Sequence, residues 1–237
     1  MKKNITIIVL SVCLALTVLV SVVLCLYLPH RQARLAEQVW AEYLSWLDYI
    51  DYDSDLNANA DETRYPTASI MCFYSQAFDA SVPASDETNI YTPWGNYVYD
   101  IRIYDDGSGV LFYQQWGEVK TQTEDGSWTT YEKICFHKSE IALTAEEVQS
   151  VLTVMEQQNF ERIPTQNLFM YNTLDASPTF ITFDCSLNND RADWKNHLIT
   201  EYGAEAGSPC YEIRKAIEAL IIAHNAGPIP TPIKTAD

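Results

Sequence analysis

Residues 97–116 read Y-V-Y-D-I-R-I-Y-D-D-G-S-G-V-L-F-Y-Q-Q-W, and this stretch decides the fold. Tyr97, Tyr99, Ile101 and Ile103 alternate with Asp100 and Arg102, the period of two expected of a strand with one apolar face. D-D-G-S-G at 105–109 supplies turn residues, and Val110 to Trp116 is apolar and aromatic enough to return as the partner strand. A second turn, at 124–127 (E-D-G-S), separates a polar strand near 117–123 from Trp128 to His137. Three or four antiparallel strands in a meander follow.

Outward from this meander, Ala68 to Phe78 reads as a preceding strand. Thr144 with Glu147 three residues on forms a capping box, opening a helix whose apolar side is Val148, Val151, Leu152 and Met155 and which stops near Asn159. Residues 179–187 place Ile181, Phe183, Cys185 and Leu187 on one side of a strand, and a turn at 188–190 leads to a partner near 193–200. Ser208 as cap and Pro209 at the first helical position start a last helix, with Cys210, Ile213, Ile217, Leu220 and His224 at compatible spacing. Hairpins with two helices packed among them predict an α+β fold with antiparallel pairing.

This layout resembles small exported bacterial domains of uncharacterised function. The resemblance is carried by the D-G hairpin, L-T-A-E-E-V at 143–148, N-F at 159–160 and two further strands, and it covers residues 97–222. It implies an exported bacterial protein and brings no active site with it.

The N-terminus agrees with export. After Met1, Lys2, Lys3 and Asn4, residues 5–28 are uncharged, apolar and free of Gly and Pro. As a helix the run would be about 36 Å long at ~1.5 Å per residue, against a hydrocarbon core of roughly 30 Å. It is longer than the apolar core of a cleaved signal and lacks the small residues of a cleavage site, and Val12 and Leu24 before Cys13 and Cys25 do not suit a lipidation motif. A transmembrane signal anchor is therefore expected. Lys2, Lys3 and the terminal amine precede the span while Arg31 and Arg34 follow it, so the acidic domain is expected outside the cytoplasm.

Four segments result: a cytoplasmic tail and anchor at 1–28, a stalk and acidic loop at 29–67, an α+β extracytoplasmic domain at 68–226, and a Pro-rich mobile tail at 227–237. The stalk is an amphipathic helix over 32–50, with Leu35, Val39, Tyr43, Trp46, Leu47 and Ile50 at helical spacing. The chain carries −17 overall, and −19 once Lys2 and Lys3 are set aside. Such a field repels nucleic acid and favours cations, a basic protein or a cell-envelope ligand.

Six cysteines divide into two in the apolar run and four beyond it. Outside the cytoplasm the four are expected to form disulfides. Cys185 and Cys210 both fall on predicted core faces and are the favoured pair, which leaves Cys72 with Cys135.

Residues 51–62, D-Y-D-S-D-L-N-A-N-A-D-E, partly resemble an EF-hand calcium loop. Asp51, Asp53, Asp55, Asn57, Asn59 and Glu62 occupy positions 1, 3, 5, 7, 9 and 12, where hard oxygen ligands wrap one ion. Leu56 replaces the turn-forming Gly, Ala58 replaces a β-branched residue, and Pro66 opposes a following helix. A solvated acidic linker is the competing reading.

Cys135 and His137 are two apart on a predicted strand and should share a face, with His197 as a third partner for zinc or for nucleophilic chemistry. Serine-hydrolase elbow, phosphate-loop and dinucleotide fingerprints are absent from the sequence. Trp94, Trp116, Trp128 and Trp194 with the strand tyrosines Tyr97, Tyr99, Tyr104, Tyr113 and Tyr131 either stack on sugars or a partner, or fill a half-buried sheet. The expectation is a membrane-anchored, non-catalytic binding module. An envelope hydrolase using carboxylates that the sequence cannot place, or a calcium-responsive module working through 51–62, is the alternative.

Overall fold

The computed structural model describes residues 2–48, 66–77, 84–92, 94–163, 178–185, 197–203 and 206–229. The fold is α+β, built on one seven-stranded sheet. Its strands are β1 (Ala68–Ala77), β2 (Asn89–Tyr91), β3 (Trp94–Ile103), β4 (Gly109–Thr121), β5 (Glu132–Leu143), β6 (Pro178–Asp184) and β7 (His197–Tyr202). The order across the sheet is β5-β4-β3-β1-β6-β7, every pair antiparallel, with β2 beyond β3 on the same flank of β4. The first strand in sequence therefore lies at the centre, joined to the late hairpin β6–β7.

The expected alternation in β3 holds. Tyr97, Tyr99, Ile101 and Ile103 are buried on one face with Ile70 and Cys72 of β1 and Ile181 and Phe183 of β6. Helices α2 (Ala145–Gln157) and α3 (Pro209–Ala223) cover this face. The turn between β3 and β4 closes with the Tyr104 amide donating to Ser108 O, and Gly107 takes φ +80°, a backbone conformation that side chains disfavour.

Instead of the two strands expected across 110–123, β4 runs unbroken through Gly117. The irregularity falls on its partner: the β4–β5 register shifts between Gln115 and Trp116, so Phe136 is an extra residue in β5. The short strand β2, not anticipated from sequence, adds three residues beside the end of β4.

Both helices on the first face start as their sequences dictate. Thr144 Oγ1 accepts from the Glu147 amide at 3.3 Å, and Glu147 Oε2 accepts from the Thr144 amide at 2.8 Å. The same carboxylate lies 2.7 Å from His224 Nε2 at the end of α3, so the cap also ties the two helices together. Thr144→Ala should cost about 1 kcal/mol, read as a lower urea midpoint with an unchanged slope.

The opposite face is also covered. Met71, Phe73, Val98, Trp116, Phe180 and Leu198 form a second core with Val39, against which Trp40 packs. Both Val39 and Trp40 come from α1 (Lys2–Asp48), which runs through Pro29 without a break. At Val39 and Trp40 the stalk helix therefore packs on the sheet. Asp100, on the side of β3 opposite Tyr99 and Ile101, is buried on this face and bonded to Arg102 Nε at 3.1 Å.

Residues 227–229 of the expected mobile tail pack on the domain, and 230–237 lie outside the described residues. Ala226 and Ile229 join the first core, Tyr113 Oη donates to Pro228 O at 2.6 Å, and His137 Nε2 meets Ala226 O at 2.7 Å. A Cβ on Gly227 would come within 2.8 Å of Tyr113 Cζ and 2.9 Å of His137 Cδ2, so the strap needs glycine there.

Candidate functional site

Successive pairings place one residue from each of six strands in a single row across the helix-covered face: His137, Gln115, Tyr97, Tyr74, Thr179 and Glu201. All six are polar or amphipathic. Directly paired residues in a sheet project to the same side, so the row is a continuous polar strip under a helix otherwise seated on apolar rows. Gln115, Tyr97, Thr179 and Glu201 are buried, while Tyr74 and His137 are half-buried.

Helix α3 brings charge onto this strip. Counting from Cys210 by three, four, seven and eight gives Ile213, Arg214, Ile217 and Glu218, so the buried stripe carries an i,i+4 ion pair along with its isoleucines. Arg214 is 5% exposed and Glu218 1%. The guanidinium of Arg214 lies 3.8 Å from the Tyr74 ring centroid and 5.6 Å from that of Tyr211.

Glu218 is well provided for. Its Oε2 takes Lys215 Nζ at 2.5 Å, and its Oε1 accepts from Tyr99 Oη at 3.4 Å and lies 3.4 Å from Arg214 Nε. That last contact is not aligned as a hydrogen bond. Arg214 Nε and Nη1 and Thr179 Oγ1 are buried without a hydrogen-bond partner, whereas the Glu201 carboxyl faces the Ser208 hydroxyl and the Cys210 amide.

Burial dominates the electrostatics. It pushes Glu201 above the usual carboxylate value of 4.5, opposed by Ser208, by the Cys210 amide and by the charge of Arg214. It also raises the thiols of Cys72 and Cys210 and the phenol of Tyr99. Burial alone would lower the Arg214 pKa, but Tyr74, Glu218, Cys72 and Tyr99 more than offset it, so the guanidinium stays charged.

The anticipated site residues fare differently. Asp51, Asp53, Asp55, Asn57, Asn59 and Glu62 lie outside the described residues. Among the described residues no group of His, Cys, Asp and Glu is placed to hold a metal ion. The extra residue in β5 overturns the shared face of Cys135 and His137. His137 pairs with Gln115 and stacks edge-on against Tyr113 on the helix side, while Cys135 pairs with Trp116 and packs in the second core. His197, on β7, stands five strand spacings from β5, roughly 24 Å, and meets the Phe160 ring at 4.7 Å. The three cannot converge.

Neither anticipated disulfide forms, and none of the six cysteines is in a disulfide. Cys72 and Cys135 lie on opposite faces and three strand spacings apart, at least about 14 Å, where a disulfide requires Cα atoms within ~7 Å. The Cys210 thiol meets Thr179 O at 3.7 Å, at the far end of β6 from Cys185. That is a separation of roughly 20 Å along the strand. Maleimide labelling of the denatured chain without prior reduction should therefore modify all six cysteines, whereas native labelling should spare the buried Cys72, Cys185 and Cys210. A mass two or four labels short after denaturation would contradict this.

The aromatic residues mostly serve the cores: Tyr97, Tyr99 and Tyr113 are fully buried and Trp116 nearly so. Trp128 and Tyr131 are exposed near the β4–β5 turn. Trp194 lies outside the described residues.

The site so defined is a buried acid, a buried guanidinium and a hydroxyl between α3 and the β6–β7 edge. No protein-family model matches the chain, and no curated protein matches it in sequence.

Proposed function

We propose that this chain is a membrane-anchored extracytoplasmic binding module without catalysis of its own. The observation that carries the reading is the state of the apolar run in α1. Leu14, Leu16, Val18, Leu19, Val20, Val22 and Val23 are all exposed, Leu14 by 68% and Leu19 by 60%. A helix apolar all round belongs in a protein core or a bilayer, and among the described residues no protein covers this one. Its hydroxyls suit lipid: Thr17 Oγ1 donates to Cys13 O and Ser21 Oγ to Thr17 O, both at 2.9 Å, so neither needs water.

Among the described residues no helix is long and apolar enough to cross a membrane. The part of the run whose side chains are continuously described, residues 12–23, spans about 18 Å at ~1.5 Å per residue. The crossing therefore depends on the whole run of 5–28 in the sequence. With Val39 and Trp40 seated on the sheet, the anchor and the domain form a continuous helical connection, and the domain is held close to the bilayer surface.

An envelope hydrolase receives less support. Glu201 and Glu218, the two buried glutamates, are 0% and 1% exposed, sealed from any polymeric substrate. The anchor is tested by alkaline carbonate extraction of membranes from expressing cells. The full chain should stay in the pellet, and a chain lacking residues 1–28 should move to the supernatant. Release of the full chain by carbonate would overturn the reading.

A further inference from the structure

Helix α3 ends in a turn that sends the chain back across the sheet. His224 is its C-cap and Asn225 takes φ +51°. The Asn225 amide donates to Ile222 O at 3.1 Å and the Ala226 amide to Ile221 O at 2.9 Å, the paired bonds of a Schellman motif. Two histidines hold the strap 224–229 that begins here. His224 Nε2 lies 2.7 Å from Glu147 Oε1 of α2, and His137 Nε2 of β5 lies 2.7 Å from Ala226 O. Ser139 Oγ donates to the same carbonyl.

Both contacts gain from a proton. A carbonyl oxygen only accepts, so His137 Nε2 carries hydrogen whether the ring is neutral or charged, and a proton added at Nδ1 makes that bond charge-assisted. Protonated His224 meets a carboxylate, and a cation at a helix C-terminus also suits the helix dipole. The Thr144 amide, and after it His224, hold Glu147 below its usual 4.5, so the carboxylate is ionised throughout the range in which histidines titrate. The surrounding charges do not oppose the uptake. Glu146 stands beside Glu147 in the first turn of α2, the last turn of α3 holds no basic residue, and the β3–β4 turn that packs on Ala145 carries Asp105 and Asp106. His137 meets Tyr113 and Ser139 and is paired with Gln115, while Lys215 and Glu218 of α3 lie beyond Tyr99, which stacks on Tyr113.

We propose that the strap 224–229 is a proton-tightened clasp: as pH falls from about 8 to about 5, His224 and His137 take up protons and bind the end of α3 more firmly to α2 and β5. In stronger acid the tie to His224 is lost again, as pH falls through the lowered value of Glu147. The clasp guards the β5 end of the polar row, because Gly227 lies against Tyr113 and His137. It works alike on either side of a membrane, so it does not rest on the anchored reading.

The test is hydrogen exchange of the full chain in detergent at about pH 7.5 and about pH 5.5, each rate divided by its intrinsic rate at that pH. Protection of the Asn225 and Ala226 amides should rise about fivefold at the lower pH, and by more than that of the Tyr99 amide in the core. Glu147→Gln keeps a side chain suited to the capping box and removes the charge, so it should take away the larger part of the rise. His137→Gln combined with His224→Gln keeps a donor at each place and should abolish it. Equal protection at the two pH values, a rise shared equally by Tyr99, or a rise that survives in the double variant would overturn the proposal.

Discussion

Glu218→Ala is expected to destabilise the domain by about 3–5 kcal/mol, the cost of breaking a buried ion pair from one side. The Glu218 carboxylate faces both Lys215 and Arg214 on α3, and it also accepts from Tyr99. Lys215 is partly exposed and can turn to water once released. Arg214 is 5% exposed, stacked on Tyr74, and has no such escape. Removing both charges with Arg214→Met and Glu218→Leu should recover most of the loss, because an apolar pair of similar bulk replaces the ion pair and leaves no buried charge unpaired. The cycle of single and double variants, read from urea melts of the full chain in detergent, isolates the coupling. A single-variant loss below about 1 kcal/mol would mean that the pair is solvated like an exposed one.

Glu201→Gln should act in the opposite direction at neutral pH and raise stability. Burial raises the native pKa of Glu201 above its ordinary 4.5, so the folded chain binds this proton more tightly than the unfolded chain does. The stabilisation from that proton is fully present below about 4.5 and is lost as pH rises through the native value, with a slope of at most ~1.4 kcal/mol per pH unit for one group. Glutamine keeps the shape without the charge. Wild type and variant should therefore melt together at acid pH and separate above 4.5, the variant being higher. Equal separation at every pH, or a variant less stable at pH 7, would show that Glu201 is ionised and paired in the native state.

Much of the fold is legible in local pattern. The alternation of 97–103, the D-G turn, the capping box at Thr144 and the Ser208-Pro209 start each have a short-range physical cause, and each recurs in the structure at its expected place. Long-range order is not legible in this way. Nothing near Ala68 says that β1 sits at the centre of the sheet, because antiparallel partners are chosen by which faces can be buried together. The bulge at Phe136 is likewise invisible to a period-two count, and a single extra residue reverses the face of everything beyond it. That is why Cys135 and His137, neighbours by parity, are parted.

The buried row had a signal that a search for apolar positions passes over. The spacing that selects Ile213, Ile217 and Ile221 in α3 equally selects Arg214 and Glu218, and an opposite-charge pair at i,i+4 within an apolar stripe marks a polar feature inside a core. Glu201 gave no such sign. Its burial follows from pairing with Thr179 under α3, a tertiary fact. The disulfide expectation failed for the same reason: two cysteines on core faces need not lie in the same part of the core.

Membrane placement is tested most directly by a membrane-impermeant maleimide applied to intact cells expressing a Thr130→Cys variant, with Cys135 replaced by alanine. Thr130 is exposed beside the β4–β5 turn. Labelling in intact cells, on a protein that stays in the carbonate-washed pellet, is the result expected of an anchored extracytoplasmic domain. Labelling only after lysis would place the domain in the cytoplasm and contradict the account.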